Sequence, residues 1–99
     1  MSGQAPETSS MAGVTVRYWA AAKAAAGVES DLIPVTEPTT LAAVLSAALT
    51  LHKDRPRLED VIGVCSVLLG DRPVGAIDPE EIAVEPGDVV QLLPPFAGG

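Results

Sequence analysis

Val89-Val90-Gln91-Leu92-Leu93, followed by Pro94-Pro95-Phe96-Ala97-Gly98-Gly99, is the stretch whose reading decides the fold. A nearly continuous apolar run of this length marks a strand with both faces buried, which places it centrally in a sheet. Pro94 and Pro95 lack amide hydrogens, so the strand ends at Leu93 and the chain leaves as a stiff, polyproline-like arm. Residues 94–99 span roughly 20 Å when extended. Gly98 and Gly99 have no Cβ and can enter a channel closed to other residues. The expectation is a folded body holding out a thin arm with the Gly99 carboxylate at its tip.

Upstream, Glu85-Pro86-Gly87-Asp88 has Pro-Gly at the centre of a type II turn that feeds this strand. Val14-Thr15-Val16-Arg17-Tyr18-Trp19 alternates with period two and reads as a first strand. The alanine run 20–26, closed by Gly27, reads as a short helix with a glycine cap. Asp31 to Val35 is a second strand, and Pro34 assigns it to a sheet edge. Leu41, Val44, Leu45, Ala48 and Leu49 follow helical spacing, so the main helix runs to about His52 and is capped by Thr39 or Thr40. Lys53 to Asp60 is charged, contains Pro56 and reads as a loop with room for a helical turn near Leu58. Val64 to Leu69 is a third strand, 70–73 a turn, 74–76 a short returning strand, and Asp78-Pro79-Glu80-Glu81 a first helical turn. The sum is an α+β domain: a mixed sheet of four to five strands with one main helix packed on one face. Its expected limits are 13–93, between a disordered tail at 1–12 and a flexible tail at 94–99.

The chain has 99 residues and a net charge of −7. That sign excludes nucleic acid as a natural partner and favours basic protein surfaces. Cys65 is the single cysteine, so neither an internal disulfide nor a cysteine-based zinc cluster is available, and a reducing, cytoplasmic setting follows. No apolar run is long enough to span a membrane, and residues 1–12 lack the pattern of a secretory signal.

These elements, in this order, resemble the β-grasp, ubiquitin-like sulfur carriers of the MoaD/ThiS family. The likeness extends from about Val14 to Gly99. It rests on the first strand and its alanine-rich helix, the Thr39-Thr40-Leu41 helix start, the Glu85-Pro86-Gly87-Asp88-Val89-Val90 turn and strand, and the Pro94-Pro95-Phe96-Ala97-Gly98-Gly99 close. The tail is most similar to the small subunit of molybdopterin synthase. The resemblance implies a β-grasp fold with the last strand beside and parallel to the first. It also implies a chain that carries sulfur and is not itself an enzyme. Gly99 would be the site of adenylation and thiocarboxylate formation, Gly98 would thread a partner's channel, and Pro94, Pro95, Phe96 and Ala97 would meet the partner.

The implied partners are an E1-like adenylyltransferase/sulfurtransferase, which uses ATP and magnesium, and the synthase large subunit. The large subunit would receive sulfur for cyclic pyranopterin monophosphate. The carrier itself would bind neither cofactor nor metal. A carrier for cysteine or thiamin synthesis, a protein modifier that forms isopeptide bonds, and a binding module remain as alternatives. Phe96 either packs back on the body or anchors in a partner.

Other chemistry-bearing residues have plainer readings. Cys65 lies in an apolar strand as an inert thiol, and His52 closes the main helix, where a cation suits the dipole. Glu80, Glu81, Glu85 and Asp88 belong to turns, and Lys23, Arg55, Arg57 and Arg72 to solvated surface.

Overall fold

The computed structural model describes residues 12–95. Strand β1 (Gly13–Tyr18) leads into helix α1 (Ala20–Ala26) and returns as β2 (Ser30–Pro34). A two-residue strand β3 (Thr39–Thr40) precedes the long helix α2 (Leu41–Leu51), and a second short helix α3 (Arg57–Gly63) follows. Strands β4 (Ser66–Leu69) and β5 (Arg72–Pro73), a 3-10 turn at Pro79–Glu81, β6 (Ala83–Val84) and β7 (Val89–Leu93) complete the chain. The main sheet has the order β2-β1-β7-β4-β5. β7 lies parallel to β1 and antiparallel to β4, while β2 forms an edge. This is the β-grasp arrangement, a mixed five-stranded sheet with helices on one face.

Local chemistry accounts for these elements. Thr40 caps α2, its hydroxyl accepting from the Ala43 amide at 3.1 Å. The Leu41 amide donates to the Ile82 carbonyl at 2.9 Å, so the strand pair β3–β6 holds the start of α2. Gly27 ends α1 in the left-handed region (φ 82°), its amide donating to the Lys23 carbonyl at 2.8 Å. A Cβ there would sit 2.7 Å from the Arg55 guanidinium, which covers the negative end of α1. The Glu85–Asp88 turn closes with an amide-to-carbonyl bond of 3.0 Å, with Gly87 at φ 98° as a type II turn requires.

The core lies on one side of the sheet. Val14, Val16 and Tyr18 of β1, Ile33 of β2 and Val90 and Leu92 of β7 meet Ala22, Ala26, Leu41, Val44, Ala48, Leu58 and Val84. Among the described residues no helix covers the opposite face, and this corrects the expectation for β7. The strand is central but not buried on both sides. Val90 and Leu92 are fully buried, whereas Val89, Gln91 and Leu93 are half-buried on the open face.

Four further readings change. Residues 57–63 are helix α3 rather than loop, because Leu58, Val61 and Ile62 share a face that packs inward. The third strand starts at Ser66, since Val64 and Cys65 close α3 through amide bonds to Val61 and Ile62. The returning strand is Arg72–Pro73 rather than 74–76. Trp19 stands outside β1 as the residue before α1. The expected disordered segment at 1–12 lies outside the described residues except for Ala12.

Leu58 separates the helix reading of 57–63 from the loop reading. It is fully buried, so Leu58→Ala is expected to cost about 2–5 kcal/mol in denaturant unfolding, as for a core leucine. A loop leucine would cost about 0.5 kcal/mol or less.

Candidate functional site

The strand that delivers the tail is held from both sides up to its end. Tyr18 pairs with Leu92, and the Trp19 amide donates to the Leu92 carbonyl at 3.2 Å. On the other flank Ser66 pairs with Leu93. Pro94 is half-buried and Pro95 exposed, so the chain comes free of the body at the two prolines. Phe96, Ala97, Gly98 and Gly99, the remaining site residues expected from sequence, lie outside the described residues.

Around this exit the open sheet face carries a polar ridge that sequence reasoning missed. The Trp19 indole Nε1 donates to Gln91 Oε1 at 3.0 Å, and Gln91 Nε2 donates to the Gly70 carbonyl at 2.6 Å. The Arg17 guanidinium sits 4.6 Å from the Trp19 ring centre, within cation–π range. Strand alternation puts Arg17 and Trp19 on the same face as Gln91 and Leu93. The one advance signal was the period-two pattern of 14–19, which sends Arg17 away from the core.

Several titratable groups tie the fold together. Asp31 Oδ2 accepts from the Tyr18 hydroxyl at 2.8 Å and lies 2.6 Å from His52 Nε2, tying α2 to the edge strand β2. The His52 ring at the end of α2 thus engages the Asp31 carboxylate of β2. Burial, then the hydrogen bond to Asp31 and its negative charge, push the Tyr18 phenol well above its ordinary range. Burial likewise pushes the Cys65 thiol up to about 11, so it is mostly protonated at neutral pH and a poor nucleophile. The Asp78 carboxylate accepts from the Glu80 amide, and that of Asp88 from the Glu85 amide. Lys23 forms an exposed pair with Glu29 at 3.4 Å. Among the described residues no group of three or more His, Cys, Asp or Glu side chains is placed to hold a metal. No helix among them is long and apolar enough to cross a membrane.

A five-stranded mixed sheet whose central strand runs out into two prolines is the β-grasp body of ubiquitin-like proteins. The ThiS family model matches residues 16–99, and the chain belongs to this family of small sulfur carriers, which are generally non-catalytic. A comparison with curated proteins finds no match. Among solved structures, the chain is 28% identical to a protein in the complex of subunits 1 and 2 of the molybdopterin-converting factor from Helicobacter pylori. That match has a TM-score of 0.57 and covers 87% of this chain and 97% of the other. The HVO 2177 protein of Haloferax volcanii is 27% identical, with a TM-score of 0.65 over 87% of this chain and 85% of that one. The small archaeal modifier protein SAMP1 of Haloferax volcanii shares the fold, with a TM-score of 0.70 at 23% identity over 88% and 99% of the two chains.

Two titrations follow from the raised groups. With the thiol at about 11, only about one Cys65 in a thousand is thiolate at pH 8. Iodoacetamide should therefore modify the folded chain slowly at pH 8, faster toward pH 11, and quickly in denaturant. Tyr18 holds its proton more tightly when folded than when unfolded, so its contribution to stability is complete below about pH 10 and is lost as pH rises above that. Unfolding free energy should fall above about pH 10 in the wild type, and less steeply in Tyr18→Phe.

Proposed function

We propose that this chain is the sulfur-carrier subunit of a molybdopterin synthase, working in the cytoplasm. The observation that carries this reading is the family match, which runs through Gly99 and so includes the Gly-Gly arm together with the β-grasp body. The molybdopterin-converting complex from Helicobacter pylori, at 28% identity, supports that branch of the family.

In this reading the Gly99 carboxylate attacks the α-phosphorus of ATP on an E1-like activating partner. A C–O–P linkage forms, the α–β phosphoanhydride bond breaks and pyrophosphate leaves. Magnesium held by that partner would supply positive charge against the phosphate oxygens. Hydrosulfide released by the sulfur donor then attacks the Gly99 carbonyl carbon, the carbon–oxygen bond to AMP breaks, and loss of the sulfur-borne proton leaves the thiocarboxylate. The large subunit of the synthase draws the loaded tail into its active site, where sulfur passes to cyclic pyranopterin monophosphate. The carrier's own residues present and position. Pro94 and Pro95 hold the arm away from the sheet, Phe96 and Ala97 meet the partner, and Gly98 passes the narrowest part of the channel. Cys65 takes no part, being protonated and half-buried.

Incubating the full chain with the activating enzyme of its own genome, ATP, magnesium and a sulfur donor tests the reading. Intact mass spectrometry should show one oxygen replaced by sulfur, located to Gly99 by fragmentation. The charged chain should then support dithiolene formation on cyclic pyranopterin monophosphate with the large subunit. Deleting Gly98-Gly99 should abolish both steps. Charging with no dithiolene formation would move the chain to a carrier of another pathway, and lysine conjugates would make it a protein modifier.

A further inference from the structure

Helices α1 and α3 leave a groove of about 450 Å³ between them, on the helical side of the sheet and away from its open face. Ala22 and Ala26 of α1 turn into the core, so Ala21, Ala24 and Ala25 form one wall of the groove as bare methyl groups. Val61 of α3 and Pro56 extend this apolar surface, and Arg55 and Arg57 border it. The backbone that carries the two arginines is held. The Arg55 amide donates to the His52 carbonyl at 2.8 Å, and the Leu58 amide donates to the Arg55 carbonyl at 3.0 Å. Leu58 itself is fully buried, which fixes the first turn of α3 beside them.

The charge pattern points to what docks there. Three of the 6 basic residues fall in Lys53-Asp54-Arg55-Pro56-Arg57, on a molecule of charge −7. Among the described residues the ion pairs are Lys23–Glu29 and His52–Asp31, so neither arginine has a carboxylate partner among them. The Arg55 guanidinium lies over Gly27 at the end of α1, and Arg57 is exposed. Guanidinium forks bind carboxylates through paired hydrogen bonds. Methyl wall and guanidiniums line one groove, so a ligand's anion and its apolar group must be close neighbours. At the end of a peptide chain the carboxylate and the last side chain hang from the same Cα. Asp54, on the same groove, repels a second carboxylate and can accept a peptide N–H. Those features favour a chain end over an acid-rich segment or a fatty acid.

We propose that the α1–α3 groove docks the C-terminus of a partner chain whose last residue is aliphatic, such as valine or leucine. Arg55 and Arg57 hold the terminal carboxylate, the alanine wall and Val61 take the last side chain, and Asp54 accepts from the last amide N–H. The groove lies across the sheet from the polar ridge and the open face, and the proposal does not rest on the carrier reading.

The test is a nuclear magnetic resonance titration of the full 15N-labelled chain, with the peptide acetyl-Gly-Ser-Ala-Leu as probe. With a free C-terminus the peptide should bind saturably, with a Kd on the order of 1 mM, and shift the amides of Ala21, Ala24, Ala25, Arg57 and Val61. The same peptide with an amidated end, and hexanoate, should each bind about tenfold more weakly or worse. Arg57→Gln and Ala24→Glu, both at exposed positions, should weaken the free-acid peptide about fivefold or more. Lys53→Gln removes the same charge as Arg57→Gln but lines no part of the groove, and its Kd should stay within about twofold. Circular dichroism melting should confirm that each variant is folded. Absence of a saturable shift, equal binding of the acid and amide forms, or equal losses in Lys53→Gln and Arg57→Gln overturns the site. Hexanoate binding as tightly as the peptide overturns the chain end in favour of a small amphipathic acid. Shifts at these amides on raising the protein concentration alone overturn it in favour of a second copy.

Discussion

The parallel pairing of β7 with β1 is the constraint on which the rest depends. It joins the two ends of the chain, from Thr15↔Val89 to Tyr18↔Leu92, and puts the residues before the tail at the middle of the sheet. β4 then closes the other edge of β7 from Ser66 to Leu69. A strand with partners on both sides has no unpaired backbone edge and frays far less than a terminal segment normally would. The body can therefore hold the root of the tail at Leu93 in place. Two prolines immediately beyond the last paired residue limit the arm's freedom further, since each fixes φ.

The helices make this possible by covering one face only. Leu41, Val44 and Ala48 of α2, with Leu58 of α3 and the alanines of α1, bury the inward side chains of β1 and β7. Methyl-sized residues on α1 let it lie close against the sheet at the end from which the tail leaves, where the Trp19 amide meets the Leu92 carbonyl. The opposite face keeps its half-buried apolar residues because no helix or strand among the described residues packs over it. That asymmetry follows from chain length as much as from pattern, since a domain this small has few helices to distribute.

Most of the framework was legible because its signals are local. Period two in Val14–Tyr18, helical spacing from Leu41 to Leu49, Gly27 after an alanine run and Pro86-Gly87 before a strand each act within a few residues. Pro34 announced an edge for the same reason. The exceptions depend on distant partners. Residues 57–63 were masked by Pro56 and by their charge, although Leu58, Val61 and Ile62 have helical spacing and Glu59 and Asp60 suit a first turn. The β3–β6 pair joins segments more than forty residues apart, and neither is apolar enough to stand out. Val89 and Leu93 read as core because hydrophobicity does not distinguish a face covered by the chain itself from a face left open. The candidate site divides in the same way. The proline exit was visible as sequence, whereas the bond between Trp19 and Gln91 spans 72 positions and only the β1–β7 register reveals it.

That register also links the two parts of the site. Arg17 pairs with Gln91, and Trp19 follows β1 by one residue, so the ridge on the open face and the root of the tail share the same pair of strands. A shift of one residue between β1 and β7 would turn Val90 and Leu92 outward and bury Gln91, and hydrophobic burial strongly opposes such a slip. The forces that keep the core closed are therefore the forces that align the indole with the tail exit. A carrier of this design needs no moving part in its body. The same central strand sets both the root of the tail at Leu93 and the surface beside it, and the two stand at a fixed separation.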